Sequence, residues 1–133
     1  MTSRKKSITL DFLENVNEFG ESVVRLYDSN MAEAIAFKAA LDFIVIQEKK
    51  AFNVSKLSFV ESRNCELSLH INDEDIGIQT LDNHKFFCCM TLEGFKSISE
   101  MLVPYTERET KGYKVLYDVD TPIDFLFAPG GTW

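Results

Sequence analysis

The sequence predicts an α+β fold with two layers, in which an antiparallel β-meander sheet packs against two to three α-helices. Apolar residues recur at spacings of three and four over residues 10–50 and 91–105, and they alternate with polar residues in the middle of the chain and near its end. Short polar turns separate these stretches. The chain has 133 residues and no linker rich in Pro, Gly or Ser, which predicts one domain over residues 1–133. We expect a flexible basic tail over residues 1–8 and a flexible end over residues 129–133.

The first element, over residues 10–27, has apolar residues at helical spacing. These are Phe12, Leu13, Val16, Phe19, Val23, Val24 and Tyr27. Asp11 followed by Glu14 fits a helix cap and its reciprocal partner. A hairpin is the alternative, because "SITLDF" and "SVVRLY" also alternate and "NEFG" fits a turn. The spacing favours the helix. Whether residues 8–27 form one helix or a hairpin is left open by the sequence.

The second element is a helix over residues 31–50, with Asn30 and Glu33 spaced as a capping box. Its residues are apolar nearly all round, a pattern typical of a helix that is covered on more than one side. It therefore belongs either to the core of the domain or to a subunit interface.

The middle of the chain predicts a meander of strands. "CELSLHIN" alternates strictly, "NDED" is a turn, "IGIQTL" is the next strand, and "DNHK" turns into "FFCCM". Residues 91–105 return to helical spacing with Thr91 as the N-cap, and "GYKVLYDVD" and "IDFLF" predict two final strands.

The thiols are the first candidates for chemistry. Cys88 and Cys89 are adjacent in a strand, so their side chains point to opposite faces and cannot both bind one metal ion. His84 has a tolerable spacing from Cys88, but the surrounding phenylalanines favour packing over metal or redox chemistry. The sequence predicts no catalytic residue and no cofactor.

Carboxylates are the second candidates. Asp118 and Asp120 share a strand face with Asp124 nearby, so they and His84 are weak candidates for a divalent metal site. A solvated strand edge is the favoured interpretation. The chain has neither a glycine-rich phosphate loop nor a GxSxG nucleophile turn.

The charge indicates which partners suit the protein. The formal net charge is −7, and the basic tail with Arg4, Lys5 and Lys6 leaves −10 on the rest. An acidic surface of this kind repels nucleic acid. Contact with nucleic acid would therefore require the basic tail or a ring-shaped clamp. The same acidity suits a basic partner protein. No apolar run approaches the length of a membrane span, and three cysteines without a signal peptide predict a cytoplasmic protein.

Residues 76–95, "IGIQTLDNHKFFCCMTLEGF", resemble the strand–turn–strand of eukaryotic-type DNA sliding clamps. The matches to the pattern I-x-[LI]-Q-x-[LM]-D are Ile76, Ile78, Gln79, Leu81 and Asp82. Residues 122–129, "PIDFLFAP", are similar to the terminal strand of such clamps. The resemblance implies a ring-forming platform that binds other proteins.

The leading hypothesis is a small, acidic, non-enzymatic protein-interaction module, of the adaptor, chaperone-like or inhibitor/immunity type. We also expect a homodimer, with a helix or a sheet edge at its interface. The aromatic candidates for contact with a partner are Phe86, Phe87, Tyr113, Tyr117 and Trp133. The alternatives are a clamp-like processivity module and a metal-dependent hydrolase that uses the clustered Asp residues.

Overall fold

Two β-sheets and two long helical segments make up the computed structural model, which describes residues 8–14, 20–119 and 122–130. The first sheet has five strands in the order β4–β1–β2–β9–β8. They are β1 (Ile8–Leu13), β2 (Ser22–Ser29), β4 (Val60–Ser62), β8 (Lys114–Tyr117) and β9 (Ile123–Pro129). The second sheet has the order β3–β5–β7–β6. Its strands are β3 (Phe52–Asn53), β5 (Glu66–Ile71), β6 (Gly77–Thr80) and β7 (Lys85–Met90).

The α+β class is confirmed, whereas the strand order is not that of a simple meander. β5 and β7 are parallel neighbours, and β6 pairs with the other side of β7. The loop between β5 and β6 crosses the end of β7, where the backbone N–H of Asn72 donates to the carbonyl of Met90. Alternation in the sequence determines which face of a strand is buried, but it carries no information about the neighbouring strand.

The favoured helix over residues 10–27 is wrong, and the hairpin alternative holds for the described part of this segment. β1 and β2 pair antiparallel, with Phe12 opposite Val24. Asp11 does not cap a helix, because its carboxylate accepts two hydrogen bonds from the Arg25 guanidinium, at 2.8 and 3.1 Å. Gly20 has a φ of 75°, which suits a turn. Val16, Phe19 and most of the proposed turn lie outside the described residues.

Helix α1 (Met31–Ala40) continues directly into a π-helical segment, Leu41–Gln47. The predicted capping box is present, because the Asn30 side chain accepts from the Glu33 N–H while the Glu33 carboxylate accepts from the Asn30 N–H. Helix α2 (Leu92–Glu107) begins after Thr91, whose hydroxyl accepts from the N–H of Gly94 at 3.0 Å. The N-caps predicted for these two helices, Asn30 and Thr91, are therefore confirmed. A short 3₁₀ helix (Val54–Lys56) follows β3.

The core lies between the two sheets and beneath the helices. Phe12 of the first sheet contacts Phe86 of the second, with 4.6 Å between ring centroids. Phe37 of α1 stacks on Phe127 of β9 at 6.2 Å. Val23, Leu126 and Ala128 form a smaller buried cluster of their own. Within the described ranges, no helix is both long and apolar enough to cross a membrane.

Candidate functional site

One side of α1 and the π-helical segment is open to solvent and carries no charge. Its exposed residues follow one another at spacings of three and four. They are Ala32, Ile35, Ala39, Phe43 and Gln47, and we call this set the helix face. The two large apolar side chains are well exposed, Ile35 by 46% and Phe43 by 54%. This side of the helix is therefore an uncharged row of small and apolar side chains that ends at Gln47.

The opposite side of the same helical segments explains why the helix face stays open. Ala34, Phe37, Leu41 and Val45 are all buried in the core. Because those side chains occupy the surface toward the sheets, the helix face points away from them. The helix that the sequence predicts to be covered on more than one side thus keeps an exposed apolar side in the single chain. Exposed apolar patches on a folded domain commonly mark contact sites for other molecules.

A groove of about 400 Å³ runs beside the helix face, toward α2. It is lined by Ile35, Lys38, Ala39, Asp42 and Thr106. The Lys38 ammonium lies 2.7 Å from Asp42 Oδ2, and the hydroxyl of Ser99 on α2 donates to Asp42 Oδ1. Both oxygens of this carboxylate therefore have donors, which fix its position. The groove has an ion pair on its rim and an apolar wall formed by the helix face.

The aromatic candidates from the sequence lie elsewhere, and one of them is wrong. Phe86 is only 1% exposed and packs in the core, so it cannot contact a partner. Phe87 and Tyr113 are 36% and 50% exposed. Tyr117 is half-buried and its hydroxyl donates to the backbone carbonyl of Asp75 at 2.9 Å. Trp133 lies outside the described residues.

The adjacent cysteines have the predicted arrangement. Cys88 is fully buried and Cys89 is half-buried on the other face of β7. Burial raises the pKa of both thiols, and it raises the pKa of Cys65 to about 12. All three are therefore protonated at neutral pH, and a protonated thiol is a poor nucleophile. His70, whose ring lies 5.5 Å from that of Phe87, has a buried Nε2 that meets no hydrogen-bond partner within the described part of the chain.

Those metal candidates that the structure describes do not assemble into a ligand set. Asp118 is exposed, and Asp120 lies outside the described residues. The pKa of Asp124 is raised by burial and then by the nearby carboxylates of Glu21 and Asp118, so these acids share one end of the first sheet. His84 lies in a different turn, before β7. Over residues 8–14, 20–119 and 122–130, no group of three potential ligands is suitably placed for a metal ion.

The segment that resembles a sliding clamp forms a hairpin of β6 and β7. The Asp82 carboxylate closes its turn by accepting the backbone N–H groups of His84 and Lys85, both at 2.9 Å. These hydrogen bonds lower the pKa of Asp82. Leu81, at the tip of the turn, is fully exposed. The Asp82 match is thus explained by the local chemistry of a turn.

Comparison of the whole chain with family models, with curated proteins and with solved structures finds no match. The candidate site therefore depends on geometry alone. Sequence reasoning did not single out Ile35, Ala39 or Phe43. The signal that could have found them is their spacing of four within a helix that has no charge on that side.

Proposed function

We propose that the protein is a non-enzymatic interaction module that acts by binding a partner protein through the helix face. The observation that carries the proposal is the uncharged, solvent-exposed row with Ile35 and Phe43 about half exposed. A free helix surface usually carries charged or polar groups, because water solvates them well. Covering an apolar row with another protein removes its surface from water and stabilises the complex.

Four further observations bear on this proposal. The described thiols are protonated, and no described carboxylate cluster has the arrangement of a metal site. The three cysteines are free thiols, which supports a cytoplasmic location because that compartment keeps thiols reduced. The net charge of −7 would also steer a basic partner toward the acidic surface outside the helix face.

A clamp-like scaffold is the second candidate, and the β6–β7 hairpin supports it. The charges on the helices oppose it, because a helix that faces DNA needs Lys and Arg. The helical segments 31–47 and 92–107 carry five acidic residues and two basic ones. These are Glu33, Asp42, Glu93, Glu100 and Glu107, with Lys38 and Lys96. The metal-dependent hydrolase is supported by the proximity of Asp118 and Asp124 alone.

Binding to a purified partner tests the proposal. Tagged protein is used to capture candidate partners from the native source, and each candidate is then produced separately and titrated against wild type, Phe43→Ser and Leu81→Ser. Leu81→Ser is the matched control, since it makes the same kind of change at an exposed apolar residue on the hairpin tip. We expect Phe43→Ser to raise the Kd at least about tenfold, as for a central contact residue. Equal affinity of both variants for the partner would contradict the proposal.

A further inference from the structure

The spacing of residues on the helix face allows it to pack against the same face of a second copy. Ile35 lies four positions before Ala39 and Phe43 lies four positions after it. When two helices are antiparallel and related by a two-fold axis, positions equally far before and after the central residue oppose each other. An axis at Ala39 therefore places Ile35 of one copy against the partner's Phe43, at both ends of the contact. Alanine at the centre allows the two backbones to approach closely.

The charge distribution distinguishes a second copy from other partners. Each chain carries −7, so two copies repel wherever their acidic surfaces meet. The helix face brings no charge to the contact, and it is therefore suited to an equally acidic partner. A basic protein would meet a single carboxylate beside this face, that of Asp42, and both of its oxygens already have donors.

The rim of the groove adds a complementary pair. Lys38 and Asp42 lie on the same flank of the helix, on opposite sides of Ala39 in the sequence. The two-fold axis reverses the helix direction but keeps the flank, so each Lys38 lies between its own Asp42 and that of the other copy. The groove beside Ile35, of about 400 Å³, is open at the place where the partner's Phe43 would enter.

We infer that the occupant of the helix face is a second copy of this chain, packed antiparallel about a two-fold axis near Ala39. This inference rests on the proposed function, for which it names the partner. The dimer buries the exposed Ile35 and Phe43 of both copies, and it leaves the acidic surfaces of the two chains in solvent.

Sedimentation equilibrium of the full chain over a wide concentration range is the first test. We expect a species of twice the 15.2 kDa chain mass. Phe43→Glu places two like charges in the apolar contact and should raise the dimer Kd at least about tenfold. Leu81→Glu adds the same charge at the hairpin tip and should leave the dimer Kd nearly unchanged. Circular dichroism of both variants verifies that they are folded.

Cysteine cross-linking tests the position of the axis. A disulfide requires Cβ atoms about 3.5–4.5 Å apart, so Ala39→Cys should form a covalent dimer under mild oxidation. Gln47→Cys is the matched control on the same face. Its two copies would be about 20 Å apart, given a rise of about 1.5 Å per residue in the α-helical part and a smaller rise in the π-helical part, and should not cross-link. Wild type gives the background from Cys89, the half-buried native thiol.

The outcomes separate this inference from the proposed function. A dimer that Phe43→Glu dissociates and Ala39→Cys traps supports both. A wild type that remains monomeric overturns the inference, and the proposed function still stands if a purified partner of another sequence requires Phe43. A dimer that is indifferent to Phe43→Glu, or that is trapped equally by Gln47→Cys, has its interface elsewhere and also overturns the inference. A monomer whose partner binding ignores Phe43 overturns both.

Discussion

Two phenylalanines on the same helical segment provide a direct test of which side of it is free. Phe37 is 1% exposed and stacks on Phe127, whereas Phe43 is 54% exposed on the helix face. We compare Phe37→Ala with Phe43→Ala, because the two substitutions remove the same atoms. Their different effects on the free energy of unfolding then depend on the surroundings alone.

The structure gives the expected magnitudes. Phe37→Ala leaves a cavity in the core and should lower the free energy of unfolding by about 3–5 kcal/mol. Full burial of a phenylalanine side chain contributes about 1.5–3 kcal/mol. In a single chain, less than half of the Phe43 side chain is buried, and its removal creates no enclosed cavity. Phe43→Ala should therefore cost about 1 kcal/mol.

Urea unfolding followed by circular dichroism measures both values, first at the lowest usable protein concentration and then about a hundredfold higher. The cost of Phe37→Ala should be the same at both concentrations. The cost of Phe43→Ala should increase with concentration, because association through the helix face stabilises only chains that keep this ring. If Phe43→Ala is as destabilising as Phe37→Ala in dilute solution and shows no concentration dependence, the helix face is already covered within one chain and the reasoning fails.

Three other predictions follow from buried or crowded ionisable groups. Arg25→Met leaves the buried Asp11 carboxylate without its guanidinium partner and should lower the free energy of unfolding by about 3–5 kcal/mol, measured by urea unfolding. Cys88 should resist a thiol reagent in the native protein and react only after unfolding, whereas Cys89 should react at an intermediate rate, as mass spectrometry of the labelled sites would show. Asp124→Asn should raise the free energy of unfolding by about 0.5 kcal/mol at neutral pH, because the raised pKa shows that the folded state disfavours this carboxylate. This increase in the free energy of unfolding should be complete above the folded-state pKa of Asp124. It should vanish below the ordinary pKa of 3.8, where Asp124 is protonated in both the folded and the unfolded state.

Each of these has a result that would contradict it. Stability of Arg25→Met equal to that of wild type would mean that the Asp11 carboxylate is solvated in the folded protein. Labelling of Cys88 as fast as Cys89 would show that β7 opens readily to solvent. A gain from Asp124→Asn that persists below pH 3.8 would have a cause other than the removal of charge.

Local chemistry explains which parts of the fold the sequence predicts well. A capping box involves two residues three positions apart, and Asn30 and Glu33 could be recognised because a long apolar stretch of helical spacing follows them. Thr91 was recognised as the cap of α2 for the same reason. The capping-box spacing at Asp11 and Glu14 misled, because Asp11 lies in a strand. In a strand, neighbouring side chains point to opposite faces, and Cys88 and Cys89 accordingly differ in burial.

The failures have a common cause in long-range contacts. Residues 10–27 fit helical and strand spacing alike, and the structure places 10–13 and 22–27 in strands that also pair with β4 and β9, far along the chain. Phe86 and Phe87 are adjacent residues of the same type, so the sequence does not show which of them is buried. Only Phe86 faces the first sheet, where it contacts Phe12. From the sequence, either residue could be expected to bind a partner. The position of the first sheet decides that Phe86 is buried.

The sequence by itself determined the class of fold, the acidity, the caps of α1 and α2 and the alternation of faces, because each depends on residue type or on neighbours within a few positions. The tertiary structure decided which strands pair and which side of α1 stays open. The helical segments are apolar nearly all round, and their large apolar residues include Ile35, Phe37, Leu41 and Phe43. Only the position of the sheets buries Phe37 and Leu41 and leaves Ile35 and Phe43 to solvent, since burial depends on which surfaces the rest of the chain supplies.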